Sequence, residues 1–76
     1  MIRSMLRMVT SPADQDEALT ILCSMAARTR AVSGCVACRV YRDAQQDRAL
    51  LIEAIWQKEA DLNKHLRSEE FRNILL

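Results

Sequence analysis

Residues 2–9, Ile-Arg-Ser-Met-Leu-Arg-Met-Val, alternate with the period of a strand. Ile2, Ser4, Leu6 and Met8 share one face, and Arg3, Met5, Arg7 and Val9 share the other, which is half polar. The period then changes. Thr10-Ser11-Pro12-Ala13-Asp14 reads as a helix start, with Ser11 as N-cap, Pro12 at the first helical position and Asp14 favouring the N-terminal dipole. Ala18, Leu22, Met25, Ala26 and Thr29 follow the spacing of a buried stripe, with Leu19 and Ile21 at its edges. This predicts a helix to about Ala31, ended by Ser33-Gly34.

Cys35 to Arg42 predicts a second strand, with Val36, Cys38 and Val40 on one face and Cys35, Ala37, Arg39 and Tyr41 on the other. Residues 43–47 are polar and have the length of a hairpin loop. Arg48 to Trp56 predicts a third strand, apolar enough to imply cover on both faces. Lys58 to Leu66 predicts a short helix with Leu62, His65 and Leu66 on one side. Ser68 caps a last helix through Leu76, with Phe71, Ile74 and Leu75 buried. The order β-α-β-β-α defines an α+β class, the split βαβ of a ferredoxin-like fold on an antiparallel sheet, with its fourth strand missing. Helices on one face of such a sheet leave the other bare.

Length sharpens that problem. The 76 residues make one domain, spanning 1–76, which excludes an enzyme with a cleft between two domains. Half the residues are hydrophobic and 28% are charged, as in a globular chain rather than a disordered one. A single core of this size supplies only about 3–5 kcal/mol, so disulfides, a metal or oligomerisation is expected to add to it. The longest purely apolar run, Ala49-Leu50-Leu51-Ile52, is far short of a membrane span. The first seven residues lack the apolar stretch of a signal peptide, so a cytoplasmic location is expected. Residues 1–42 carry a net +3 and residues 43–76 a net −2, so neither half is a phosphate-neutralising patch. With Tyr41 and Trp56 as the strand aromatics and a net charge of +1, an RNA-binding sheet is not expected.

Candidate chemistry is sparse. Cys35 and Cys38 have the spacing of a metal or redox pair, but on a regular strand they point to opposite faces. Beyond them only Cys23 and His65 remain as Cys or His ligands, so no metal is expected and the cysteines read as small buried hydrophobes. His65 is the single histidine, the side chain that normally titrates near neutral pH. Trp56 ends the third strand, and its N–H calls for a partner at a pocket rim or an interface. Glu53 is a carboxylate within an apolar strand, within reach of Arg39 or Arg3 across the sheet.

Gly34-Cys35 opening a strand, Tyr41-Arg42-Asp43, Leu50-Leu51-Ile52-Glu53 leading to Trp56, and then Lys58-Glu59-Ala60-Asp61-Leu62, His65, Ser68 and Phe71 form a pattern that resembles the antibiotic biosynthesis monooxygenase family. The resemblance covers nearly the whole chain and is most specific from Trp56 to Phe71. It implies a ferredoxin-like domain that pairs as a homodimer into a dimeric α+β barrel, closing the bare sheet face. It also implies a cavity between sheet and helices. Some members oxidise polycyclic aromatics or quinols with dioxygen and without metal or flavin. Others degrade haem or isomerise small sugar-like signals. Trp56 and His65 carry over as the catalytic candidates, with Trp56 against the substrate and His65 bonding to it or moving a proton.

Three features depart from the family pattern. The Asn that precedes the strand-end Trp in the aromatic-oxidising members is Ile52 here. The haem-degrading set is absent: the first strand has no Asn, His65 stands in place of a Trp, and the last helix offers Leu75 rather than an axial His. The Glu two residues before the Trp is Ala54 here, with Glu53 displaced onto the other face. Relatives continue into a fourth strand, so a shortened form of the domain is expected. Two functions follow: a cofactor-independent monooxygenase of a small planar aromatic or quinol-like substrate, or a non-catalytic dimeric module that binds a small apolar ligand.

Overall fold

Ala49–Trp56 takes the centre of a three-stranded sheet, flanked on one side by Ile2–Val9 and on the other by Cys35–Arg42. The structure, a computed structural model, describes residues 1–75; the side chains of Glu70, Ile74 and Leu75 fall outside that description. In chain order the elements are β1 (Ile2–Val9), α1 (Gln15–Arg30), β2 (Cys35–Arg42), β3 (Ala49–Trp56), α2 (Glu59–Leu66) and α3 (Glu69–Leu75). Both strand pairs are antiparallel, Ile2 lying opposite Trp56 and Arg42 opposite Leu50. This is the expected α+β fold, a ferredoxin-like split βαβ in β-α-β-β-α order. The burial expected for Ile74 and Leu75 and the helix extension to Leu76 lie outside the described residues.

The helices cover one face of the sheet. Leu22, Met25, Ala26 and Thr29 of α1 are buried, as their spacing predicts, while Ile21 stays half exposed. They close a core with Cys38, Leu50, Ile52, Ala54 and Trp56. On β3, Leu50, Ile52, Ala54 and Trp56 are buried against the helices, whereas Leu51, Glu53 and Ile55 on the opposite face are half-buried. Cover on both faces of β3 is thus only partial within one chain. No helix of the described residues is long and apolar enough to cross a membrane.

Two local details differ from the pattern. The first helix begins at Gln15, not at Pro12. Ser11 Oγ bonds the Asp14 carboxylate at 2.8 Å instead of a backbone N–H, and Asp14 N donates to Ser11 O at 3.1 Å. Residues 11–14 therefore make a turn, and Asp14 becomes the N-cap residue. Second, β2 contains a bulge: Cys35 lies opposite Trp56 but Ala37 lies opposite Ile55, leaving Val36 as the extra, half-exposed residue. One extra residue reverses the parity of a strand. Cys35 thus joins Cys38 on the core face, correcting the expectation that the two point apart.

Candidate functional site

Between the covered face of the sheet and the helices lies a cleft enclosing about 480 Å³ of space, part of it open to solvent. Ser4, Met5 and Leu6 of β1, Met25 and Thr29 of α1, Cys38 of β2, Ile52 and Ala54 of β3, His65 and Leu66 of α2 and Phe71 of α3 line it. Every element contributes a side chain to this wall. Ser4, Thr29 and His65 are its uncharged or titratable polar side chains in an otherwise apolar wall. A second depression, lined by Met8, Ala18, Ile21, Leu22 and Asn73, has no titratable side chain.

His65 reaches this cleft because α2 folds back over the sheet. Gly34, in the turn between α1 and β2, has a φ of +90° that suits glycine, and the turn before α2 is pinned against it. The Asp61 side chain occupies the space a Cβ at Gly34 would need. Gln57 N also donates to Gly34 O at 2.9 Å, tying the start of β2 to the end of β3. His65 is then held between two rings. Its ring centroid is 4.9 Å from that of Trp56, tilted by 35°, and 5.4 Å from that of Phe71, tilted by 58°. Ser68 Oγ accepts from Phe71 N at 3.2 Å and so caps α3, as its position predicts.

Trp56 is fully buried and is not among the residues lining the cleft. Its Nε1 donates to Ser4 Oγ at 3.3 Å, which supplies the partner the indole calls for. The indole stands behind His65 and Ser4 and carries both. Ile52, at the position of the family Asn, does line the cleft and presents an apolar surface there. Thr29 is 1% exposed, and its hydroxyl has no hydrogen-bond partner among the described residues. A buried hydroxyl left in that state costs about 1–3 kcal/mol. The spacing placed Thr29 only in the buried stripe of the helix. The one sequence signal of more was that a hydroxyl stood among hydrocarbon side chains.

Of the three cysteines expected to be buried, Cys38 is buried and Cys35 half-buried, but Cys23 is exposed because it lies off the buried stripe of α1. Burial, first, and the neighbouring Cys35, second, push the Cys38 thiol up to about 11, against the lowering influence of Arg30. Burial likewise raises Cys35, while its contact with Ala37 O and the charge of Arg30 pull it down less strongly. The Arg30 guanidinium donates to Cys38 O at 2.8 Å and fastens the end of α1 to β2. Among the described residues no group of three His, Cys, Asp or Glu is placed to hold a metal ion. Glu53 lies on the opposite sheet face, where Arg3 Nη1 reaches it at 3.4 Å and Tyr41 Oη at 3.3 Å. Of the two expected cross-sheet partners, Arg3 makes the pair.

A ferredoxin-like α+β domain with an apolar cleft between sheet and helices defines the class of protein. The sequence model of antibiotic biosynthesis monooxygenases matches residues 1–75, and the chain belongs to that family. Solved structures share the fold. A crystal structure of a candidate antibiotic biosynthesis monooxygenase from Deinococcus radiodurans superposes with a TM-score of 0.93 at 23% identity, covering 99% of this chain and 74% of that one. A conserved protein from Methanosarcina mazei gives 0.85 at 25% identity over 96% of this chain and 72% of its own. Rv0793 from Mycobacterium tuberculosis gives 0.81 at 22%, over 93% and 71%. No curated protein matches the chain.

Proposed function

We propose that the chain is a cofactor-independent monooxygenase that acts on a small planar aromatic or quinol-like molecule in this cleft. The observation that carries the reading is His65, a titratable ring lining an apolar cleft and braced from behind by Trp56. An apolar wall selects an apolar substrate, and the few polar groups orient it. His65 takes the proton from an acidic hydroxyl or activated methylene of the substrate, as a general base. The electron-rich anion then reduces dioxygen. For a methylene the balance is R2CH2 + O2 → R2CO + H2O, with the substrate as the source of electrons. Trp56 is a positioning residue in this scheme, since it acts through His65 and Ser4.

The test is oxygen consumption with a panel of quinols and anthrone-like methylenes. His65→Asn should lower the rate by about 10²–10⁴-fold, the worth of a general acid or base. An undiminished rate in the folded variant overturns the catalytic role. Ile52 in the cleft favours a second reading, a ligand-binding module without turnover, because it offers no amide to polarise a substrate oxygen. Ligand binding with no oxygen uptake by the wild-type chain would select it.

The working form is a homodimer joined through the bare sheet face. Met5, Val9 and Tyr41 are 54%, 53% and 42% exposed there, alongside the half-buried Leu51 and Ile55. An apolar surface of this kind is stabilised by a partner. Light scattering that finds a stable monomer at micromolar concentration would overturn the pairing.

A further inference from the structure

We propose that Thr29 is the polar anchor of the cleft, bonding an oxygen substituent, hydroxyl or carbonyl, on the aromatic ligand. The inference rests on the cleft being a ligand site, as argued above, and adds which oxygen chemistry the ligand carries and what receives it.

The argument begins with an unmet bond. Thr29 is 1% exposed and its Oγ1 has no partner among the described residues, yet it lines the cleft. Buried hydroxyls are almost always paired, with protein or with something bound. Ser4 Oγ already accepts from Trp56 Nε1 and the Arg30 guanidinium already donates to Cys38 O, while His65 is the base of the proposed reaction. Cys38, next in the wall, stays a neutral thiol because burial disfavours its anion. A threonine hydroxyl both donates and accepts, so it serves a carbonyl or a phenolic hydroxyl equally. It also sits on α1, which packs mainly against β2, whereas His65 sits on α2, which packs against β1 and β3. A ligand oxygen at Thr29 therefore fixes the ring against a different wall from the one that carries the titratable group.

The test uses 2-naphthol and naphthalene, which differ by one hydroxyl, with binding followed by backbone amide shifts of β1 and α1. Thr29→Val keeps the shape and removes the hydroxyl; Thr29→Ser keeps the hydroxyl. Thr29→Val should weaken 2-naphthol about tenfold, the loss of one net hydrogen bond, and leave naphthalene unchanged. Thr29→Ser should retain the preference for 2-naphthol. Ligand-free Thr29→Val should melt at or above the wild-type temperature, because an unmet buried hydroxyl is gone. If both probes bind Thr29→Val as they bind wild type, the anchor is refuted and the cleft reading stands. If neither probe shifts the cleft amides of the wild-type protein, both fall. A Thr29→Val protein that melts several degrees lower assigns the hydroxyl to the fold and overturns the anchor.

Discussion

The two faces of the sheet are built from the same three strands and differ in almost everything else. The face under the helices holds Leu50, Ile52, Ala54, Trp56 and Cys38, all buried, and its polar groups number few enough to be named. The opposite face interleaves Met5, Val9, Leu51 and Ile55 with Arg3, Arg7, Glu53 and Tyr41. Arg3 pairs with Glu53 at 3.4 Å and Arg7 approaches Asp43 at 3.9 Å, with both arginine side chains half exposed or more. Such surface pairs contribute only about 0–1 kcal/mol each. The covered face therefore carries the stability of the chain and houses the cleft, while the open face leaves Met5, Val9 and Tyr41 in solvent, where the proposed pairing would take place.

The largest expected contrast is in stability. Trp56→Ala on the covered face should lose about 3–5 kcal/mol in urea unfolding, as large core truncations do, whereas Val9→Ala on the open face should lose under about 1 kcal/mol. Equal losses would mean that the open face is as tightly built as the covered one.

Thiol chemistry divides along the same line. Cys38 ionises only near 11, from an ordinary 9.0, while Cys23 is exposed on α1. At neutral pH Cys38 thus holds about a hundredfold less thiolate than an unshifted cysteine, and a thiol-alkylating reagent should label Cys23 first and Cys38 last. The pH dependence has a definite sign. The unfolded chain releases the thiol proton from about 9.0 upward while the folded chain keeps it to about 11, so stability falls as pH rises through that window. Urea midpoints taken on either side of it should show the fall, and Cys38→Ala should make it shallower.

The smallest expected effect concerns the open face. Val9→Asp should weaken self-association about tenfold or more in light scattering while leaving the unfolding free energy of the monomer within about 0.5 kcal/mol. Loss of folding in Val9→Asp would break the division between the two faces.

Much of this was legible in the chain. The switch from a period of two to a period near four located every element, and the stripe Leu22, Met25, Ala26 and Thr29 marked the face of α1 that is buried. The stretch from Trp56 to Phe71 located the histidine of the cleft. Periodicity could not foresee the bulge at Val36, because a bulge is a property of two strands in register and not of one. Nor could it foresee that Ser11 would bond Asp14 instead of capping the helix, since two local hydrogen bonds compete there with similar energies.

The sequence alone determined what neighbours along the chain can settle: which segments are strands, which are helices, and which face of each is apolar. Those properties follow from backbone sterics and solvent exclusion acting within one element. Only the tertiary structure decided that Cys35 turns inward, that Trp56 stands behind His65 instead of facing the cleft, and that Thr29 is left with an unmet hydroxyl. Each of these depends on residues far apart in the chain, as Ser4 and Trp56 are, meeting at hydrogen-bond distance. Packing at that range fills space by the shapes of all partners at once, and no single segment encodes it.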